Sequence, residues 1–380
     1  MNITIIEPTW DGLAHCPVNL GVIRIVRTAF PDARVTFIAG ERHISEIKKI
    51  AGNTNDSRLQ FLNFEPHLDA DTLPADVLRT YRKIKKIPKR LLIDADLIIQ
   101  TSCTASSLHC FNWLGLSSKT LTYLHGNANE VANWRSKNPL RRCLDFTAGL
   151  RTFTKQSGKV LVYEAGIKDR LLKKASWLDK KLSFLGHPIL EEERDQCKSN
   201  RTIGQPIRIG FAGNATVSKG FPEFIALADT ITKSNPTEYE FHAFSYLHES
   251  CKNVDQSNLK TPAKNGLKRS EFISNLDSMD FIFAWHSDEY YSLAASGIMY
   301  DAINLGIPLI ARKTAQIQYL EAQGMPIALH FEDLADVITI LTAQPPQQKQ
   351  YEKLLNGLNL ARNTLTTEKL ASDLRQILSN

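Results

Sequence analysis

Cysteine is scarce in this 380-residue chain, with six copies scattered at positions 16, 103, 110, 143, 197 and 251. No two of them form a C-x-x-C pair, which argues against a zinc knuckle or a redox dithiol and leaves reduced thiols as the expectation. Long apolar runs are absent too, and nothing approaches the length that spans a bilayer. No basic stretch precedes the strand-like NITII that begins at residue 2, so no secretory leader is expected and the chain is read as cytoplasmic. The glycine spacings of a P-loop and of the G-x-G-x-x-G dinucleotide fingerprint are missing. No Asp-x-Asp pair stands at the carboxyl end of a strand, so no metal and no tightly held cofactor is implied. Neither sign of charge dominates, with 46 basic and 40 acidic residues and a net charge of +6. Only short segments are strongly basic, and no nucleic-acid partner is expected.

What is present is alternation. Apolar runs at Ile3–Glu7, Arg34–Ala39, Leu59–Phe64, Leu97–Gln100, Thr120–Leu124, Val160–Tyr163 and Leu182–Leu185 read as buried strands. Segments of helical spacing lie between most of them, including Val22–Phe30, Ala75–Ile87, Leu140–Lys155 and Lys168–Ala175. The pattern stops near Gly186-His187-Pro188, and the polar stretch 191–206 reads as a linker. It restarts with Ile207–Ala212, Tyr239–Phe244, Phe281–Trp285, Ile307–Ala311 and Ile327–His330. From Gln347 onward the chain is amphipathic helix, with Tyr351, Leu354, Leu355 and Leu358 on one side. This predicts an α/β protein of two Rossmann-like, doubly wound parallel-sheet domains facing a cleft: 1–190, a linker at 191–206, and 207–345. Helices at 346–380 are expected to pack back toward the first domain. In such sheets ligands sit beyond the carboxyl ends of the strands.

Two stretches of the second half carry chemistry. In Asp280–Arg312 a strand, a polar turn and a helix follow one another, with Ile298, Ala302 and Leu305 on one helical face and Gly306 placed to end it. Ser296 and Gly297 stand at the helix start, where free N–H groups suit a phosphate. Asp301, one turn further in, could accept hydrogen bonds from ribose hydroxyls. The plain alternative is an ordinary buried crossover helix. In residues 207–227 a strand runs into Gly213 and Asn214, then a small-residue loop, then Lys219-Gly220 at a helix start. Gly213 permits close backbone approach, and Lys219 places a positive charge by the loop.

Together these two stretches resemble the donor-binding half of GT-B glycosyltransferases, which use sugar nucleotides. In the large retaining group of that fold the second domain opens with a strand, Gly-Arg, a short loop and Lys-Gly. Gly213, Asn214, Lys219 and Gly220 occupy those places, with asparagine where the family has arginine. That group also has two glutamates on the later segment, the second followed by Ala and then Gly-x-Pro. Asp301, Ala302, Gly306 and Pro308 match the second part, while the first glutamate falls on Leu293; Asp288 and Glu289 are nearby but out of register. The resemblance implies a nucleotide-sugar donor, with Gly213, Lys219, Ser296 and Gly297 around the diphosphate and Asp301 on the ribose.

The first half would hold a hydroxyl acceptor. Its first loop, Pro8–Asn19, contains Asp11 and His15, either of which could take a proton from a hydroxyl. The order Gly12, His15, Pro17 resembles the loop in which inverting GT-B enzymes keep a catalytic histidine. His125, after the strand Thr120–Leu124, stands where such enzymes often carry a histidine near the sugar, with Glu130 and Glu164 as lesser candidates. Local turn satisfaction explains Asp11 and His15 equally well. The most lopsided charge is in Arg79–Leu92, where Arg79, Arg82, Lys83, Lys85, Lys86, Lys89 and Arg90 meet no acidic residue. Val77, Tyr81 and Ile84 make one side of that segment apolar, the pattern of a helix lying on an anionic membrane. Arg135, Lys137, Arg141 and Arg142 form a smaller basic group. The expectation is therefore a glycosyltransferase at the inner face of the membrane, with lipid-linked glycans among the acceptors implied. A non-hydrolysing sugar-nucleotide epimerase and a non-catalytic, nucleotide- or glycan-binding partner subunit are the competing readings.

Overall fold

The computed structural model describes the whole chain apart from residues 53–55, 66–73, 134–135, 196, 198–200, 265, 288–290 and 380. The chain divides into two compact units. The first comprises Met1–Pro188, Leu293–Ala295 and Leu365–Asn380; the second comprises Ile189–Ser292 and Ser296–Thr364.

The first unit is built on a seven-stranded sheet of β1 (Asn2–Ile6), β2 (Arg34–Ala39), β3 (Leu59–Asn63), β4 (Leu97–Gln100), β5 (Thr120–Tyr123), β6 (Lys159–Val162) and β7 (Leu182–Phe184). Their order is β3-β2-β1-β4-β5-β6-β7, and every pairing is parallel. The direction of winding reverses between β1 and β4, so the loops after these two strands flank the crevice where ligands bind in such sheets. Ile5, Ile98, Leu121 and Val160 are almost wholly buried, as continuous apolar strands covered on both faces must be. Helical spacing in Leu140–Lys155 resolves into two helices, Pro139–Arg142 and Phe146–Lys155. The break falls at Asp145, whose carboxylate accepts from the Ala148 amide at 2.8 Å and so starts the second helix. The last helix, Thr367–Ser379, packs on the helix Cys16–Ala29, with Arg375 donating to the Ala29 carbonyl at 3.2 Å.

The second unit carries a five-stranded sheet of β8 (Ile207–Ala215), β9 (Tyr239–Leu247), β10 (Phe281–Ala284), β11 (Leu309–Arg312) and β12 (Ala328–Phe331), in the order β12-β11-β10-β8-β9. All pairings are again parallel, and the switch point lies between β8 and β10. β8 and β9 pair through Ala215 and Leu247, beyond the apolar runs that announce them. A phenylalanine cluster (Phe211, Phe221, Phe224, Phe241, Phe281, Phe283) fills the core. The helix Gln348–Asn363 belongs to this unit, where Tyr351 meets Phe281 edge-on.

The described residues of 191–206, read from sequence as a linker, belong to the second unit. Glu193 is buried and paired with Arg269, and the Arg201 side chain is 5% exposed and paired with Asp277. Their partners lie some 76 residues away, which is why local periodicity shows nothing there.

The basic stretch takes a different place from the one its pattern suggests. On the helix Pro74–Ile84, Val77 and Ile84 are buried among Ile98, Phe111 and Leu116, and Tyr81 packs against the same cluster. The apolar side therefore faces the core of the first unit, which corrects the reading of a helix that inserts it into lipid. Arg79, Arg82, Lys85, Lys86, Lys89 and Arg90 are exposed, and Lys83 half-buried. Arg79 lies 3.6 Å from Asp76 and Lys83 lies 3.5 Å from Glu65. Lys137, Arg141 and Arg142 are also exposed; Arg135 lies outside the described residues.

Candidate active site

Five strand ends of the first unit contribute to one cluster. Glu7, at the end of β1, has no exposed surface, and its carboxylate is met by five donors. These are the amides of Thr9 (2.9 Å) and Trp10 (3.2 Å), Asn19 Nδ2 (3.2 Å), the Thr101 hydroxyl (2.9 Å) and the Ser102 hydroxyl. A buried charge this well satisfied fixes the loop after β1 against the loop after β4. That loop ends at His15, which caps the helix Cys16–Ala29 in a left-handed conformation (φ 65°) that few residues other than glycine, asparagine and histidine adopt readily.

The result is a stack of rings. His15 lies on His125 with centroids 4.4 Å apart and planes 20° from parallel. Tyr163 stands 4.9 Å from His125, with its hydroxyl 3.2 Å from Nε2, and 4.9 Å from His187 on its other side. His125 Nε2 lies 2.6 Å from the Thr101 carbonyl, so that nitrogen carries the proton and Nδ1 has the lone pair. His15 Nδ1 is buried without a hydrogen-bond partner. Burial, reinforced by His43 and His187, pushes the His15 pKa down to about 4. Burial and then His15 push that of His125 down to about 3. At neutral pH both rings are therefore uncharged.

Asp11 is not part of this stack. One of its oxygens accepts from the His43 amide at 3.3 Å, in the first turn of the helix Glu41–Ala51, whose own cap residue, Gly40, offers no side chain. A Cβ on Gly40 would come within 2.4 Å of that oxygen, so the glycine makes room for the contact. The carboxylate has a structural employment of the kind expected of acids in turns. Glu130, on the helix Ala128–Asn133, is raised to a pKa of about 7 by burial and by Asp145. Glu164 is buried at the start of the helix Ala165–Lys174.

In the second unit the loops after β8 and β10 interlock. Gly213 has φ +91°, and a Cβ there would meet Lys219 Nζ at 3.3 Å, so the lysine lies along the glycine backbone. Lys219 ends a single 3-10 turn capped by the Thr216 hydroxyl, and burial lowers its pKa. Gly220 has φ +81° and passes so close to Trp285 that a Cβ would lie 2.3 Å from the Trp285 carbonyl. The Ser287 amide donates to the Ser218 carbonyl at 2.9 Å, which ties the two loops together. His286, two residues beyond the end of β10, is buried, with Nε2 3.3 Å from the Ser296 hydroxyl and its ring 4.1 Å from that of Tyr291. Burial and the nearby Lys219 charge push its pKa down to about 3. Ser296 stands at the N-cap of the helix Gly297–Leu305, and the space at Gly297 is open. Asn214 is exposed.

Asp301 is on the same helix, but its carboxylate already has a partner. Arg269 donates to it from Nη2 (2.5 Å) and Nη1 (3.2 Å) and also grips Glu193 with two bonds of 2.8 Å. A carboxylate has about four acceptor positions, so two remain for hydroxyls beside the two bonds from Arg269. Leu293 lies in the apolar core of the first unit, and Asp288 and Glu289 lie outside the described residues. Sequence reasoning did not single out Glu7, Tyr163, His187, Arg269 or His286. Four of these immediately follow or closely trail a strand, and that position was the signal available. Among the described residues no three His, Cys, Asp or Glu side chains gather as metal ligands.

No protein-family model matches the chain, and no curated protein resembles it closely enough in sequence to be matched. Solved structures do match over its whole length. A glycosyltransferase from Rickettsia africae ESF-5 superposes with a TM-score of 0.66 at 12% identity, covering 100% of this chain and 99% of that one. The chain has the GT-B fold. HepE of Anabaena, solved in complex with UDP-glucose, gives 0.65 at 13% identity over 100% and 99% of the two chains. A sucrose-phosphate synthase from Thermosynechococcus elongatus gives 0.63 at 12% identity over 100% and 98%. At such identities the likeness is one of fold, and the chemistry of this GT-B chain rests on its own residues.

Proposed function

We propose that the protein is a glycosyltransferase that moves a sugar from a nucleoside diphosphate sugar to a hydroxyl acceptor. The observation that carries this reading is the half-buried Lys219 beside Gly213, with Ser296 and a helix N-terminus that no side chain caps in the same unit. A partly desolvated cation and a helix start suit a diphosphate, whose negative charge grows as the bond to the sugar breaks. Gly213 and Gly220 let the backbone approach, Asn214 edges the loop, and Asp301 accepts from the ribose hydroxyls. The first unit supplies the neutral groups that an acceptor hydroxyl needs. If the reaction inverts, the acceptor oxygen bonds to the anomeric carbon, the bond from that carbon to the diphosphate breaks, and the hydroxyl proton passes to His15. A base with a pKa near 4 takes that proton only weakly. His125 lies against His15 to hold its ring and to meet the sugar. Lys219 supplies positive charge to the departing nucleotide.

The acceptor is proposed to be lipid-linked and presented at an anionic bilayer surface. Leu78, Tyr81, Arg82 and Lys85 follow one another on the helix Pro74–Ile84 and just beyond it; Leu78 is 46% exposed, and Trp113, 56% exposed, meets Tyr81 at 6.2 Å. A tryptophan and a leucine amid exposed lysines and arginines suit the headgroup region, where each basic residue contributes about 1 kcal/mol.

Thermal unfolding against UDP, GDP, ADP, CMP and dTDP tests the reading. One nucleotide in excess of its Kd should raise stability by about 2–3 kcal/mol, and Lys219→Ala should remove the rise. The same nucleotide as a sugar conjugate should turn over only when an acceptor is present; turnover without acceptor would point to an epimerase. No response to any nucleotide would sink the transferase reading in favour of a non-catalytic subunit.

A further inference from the structure

The second unit has a cavity of about 440 Å³ at the carboxyl end of the helix Gly297–Leu305, remote from the Ser296 end of that helix. Three arginines line it, Arg194, Arg201 and Arg362, along with Asp195, Asn359 and Leu355. Arg201 is accounted for. It pairs with the Asp277 carboxylate and donates to the carbonyls of Asp277 (3.1 Å), Met279 (3.2 Å) and Leu305 (3.3 Å).

Arg362 is held differently. Its Nε donates to the Ile303 carbonyl at 3.2 Å and its Nη1 to the Asn359 side-chain oxygen at 3.1 Å, both uncharged acceptors. Its Nη2 lies over Gly306, where a Cβ would approach to 2.8 Å. Because Arg201 reaches the carbonyl of Leu305 and Arg362 covers the next residue, two guanidinium groups meet at one peptide. Arg194 adds a third charge. It pairs with Asp195 at 3.6 Å, whose side chain is 71% exposed, so that pair is a weak one. Burial, and after it the charges of Arg194 and Arg201, lower the Arg362 pKa. Helix-capping accounts for one arginine at this carboxyl end, since cations suit the last carbonyls. It does not account for three around a cavity large enough for a small organic molecule.

We propose that this cavity is a second anion site, one that takes a phosphate group, free or as a phosphomonoester, on Arg194 and Arg362 with Leu355 as its apolar wall. Guanidinium forks match the paired oxygens of phosphate, and an anion here relieves the repulsion among the three arginines. The site is independent of the donor site around Lys219.

Thermal unfolding in rising inorganic phosphate, at ionic strength held constant with sodium chloride, tests it. Wild-type protein and Lys219→Ala should show the same rise of about 2–4 °C at saturation. Arg194→Ala, at a half-exposed position where folding is not at risk, should weaken the phosphate midpoint at least tenfold, and Arg362→Met should abolish the rise. Glycerol 3-phosphate in place of phosphate separates the sources: a tighter midpoint assigns a phosphomonoester, an equal or weaker one assigns free phosphate. Absence of any rise in the wild type overturns the proposal. So does a rise lost in Lys219→Ala but kept in Arg194→Ala, because that would put the phosphate at the donor site.

Discussion

The two units solve opposite electrostatic problems on sheets of the same kind. At the switch point of the first, three histidines and a tyrosine stack together, His187 and Tyr163 buried and His15 and His125 half-buried, and His15 and His125 are kept uncharged. The carboxylate of Glu7, buried in that region, is met by five donors. At the switch point of the second, a lysine stays near a glycine backbone, and the helix start at Ser296 has no side-chain cap, with open space at Gly297. The first arrangement suits a neutral hydroxyl about to lose a proton. The second suits an anion about to gain charge. The same crevice of a doubly wound sheet has thus been given either polarity by a handful of loop residues.

The largest expected effects separate the two sites. His15→Asn preserves the left-handed backbone that asparagine tolerates, and it should cost about 10²–10⁴ in kcat, the usual contribution of a general base. Stabilisation by nucleotide should be unchanged in that variant. Lys219→Ala should lose about 10²–10³ in kcat and weaken the nucleotide as well. Steady-state kinetics beside nucleotide-dependent melting checks both, and loss of nucleotide stabilisation in His15→Asn would break the division of labour.

A next comparison pits two glycines of the second unit. Gly220→Ala meets Trp285 and a positive φ together, and should cost about 2–4 kcal/mol in urea unfolding. Gly297→Ala points into open space, so stability should change by less than about 1 kcal/mol while nucleotide affinity falls.

The buried histidines sharpen the contrast through pH. In the folded protein His15 and His125 bind protons only near pH 4 and 3, whereas unfolded histidine does so near 6.5. The unfolded state therefore takes up more protons below pH 6.5, and stability falls as pH drops from 6.5 toward 4. Each such histidine contributes up to about 1.4 kcal/mol per pH unit. Denaturant titrations at pH 7.5, 6 and 5 should show this loss, and His15→Asn should flatten it. The opposite pH dependence belongs to Glu130, whose raised pKa makes the ionised form costly in the folded state. Glu130→Gln should match wild type near pH 4.5 and exceed it by up to about 3 kcal/mol above pH 7, the gain growing between those values.

Much of this molecule was legible because its signals are local. The twelve strands of the described residues were visible as mainly apolar runs, since strands covered on both faces are rich in apolar residues. The site loops were visible as the polar residues that follow those runs. Gly213, Lys219 and Gly220 come together by neighbouring sequence alone, and Gly220 carries the positive φ that its place at a helix start requires. What escaped were pairings between distant residues. Asp11 reads as a candidate base until the helix Glu41–Ala51 is seen to need a cap. Asp301 reads as a free acid until Arg269, 32 residues earlier, is found on it. The stretch 191–206 reads as a tether because Arg269 and Asp277, which hold it, lie on a helix far along the chain.

The amphipathic pattern of Pro74–Ile84 shows the limit most plainly. Sequence determined that one side of the helix is apolar and the other basic, because periodicity follows from 3.6 residues per turn. It could not determine what covers the apolar side, since lipid and a protein core are equally good solvents for Val77 and Ile84. Only the tertiary structure decided, by placing Phe111 and Ile98 against them. The same holds for the charges of His15, His125 and Lys219: their chemical type is written in the chain, and their protonation is set by how far the fold removes each from water.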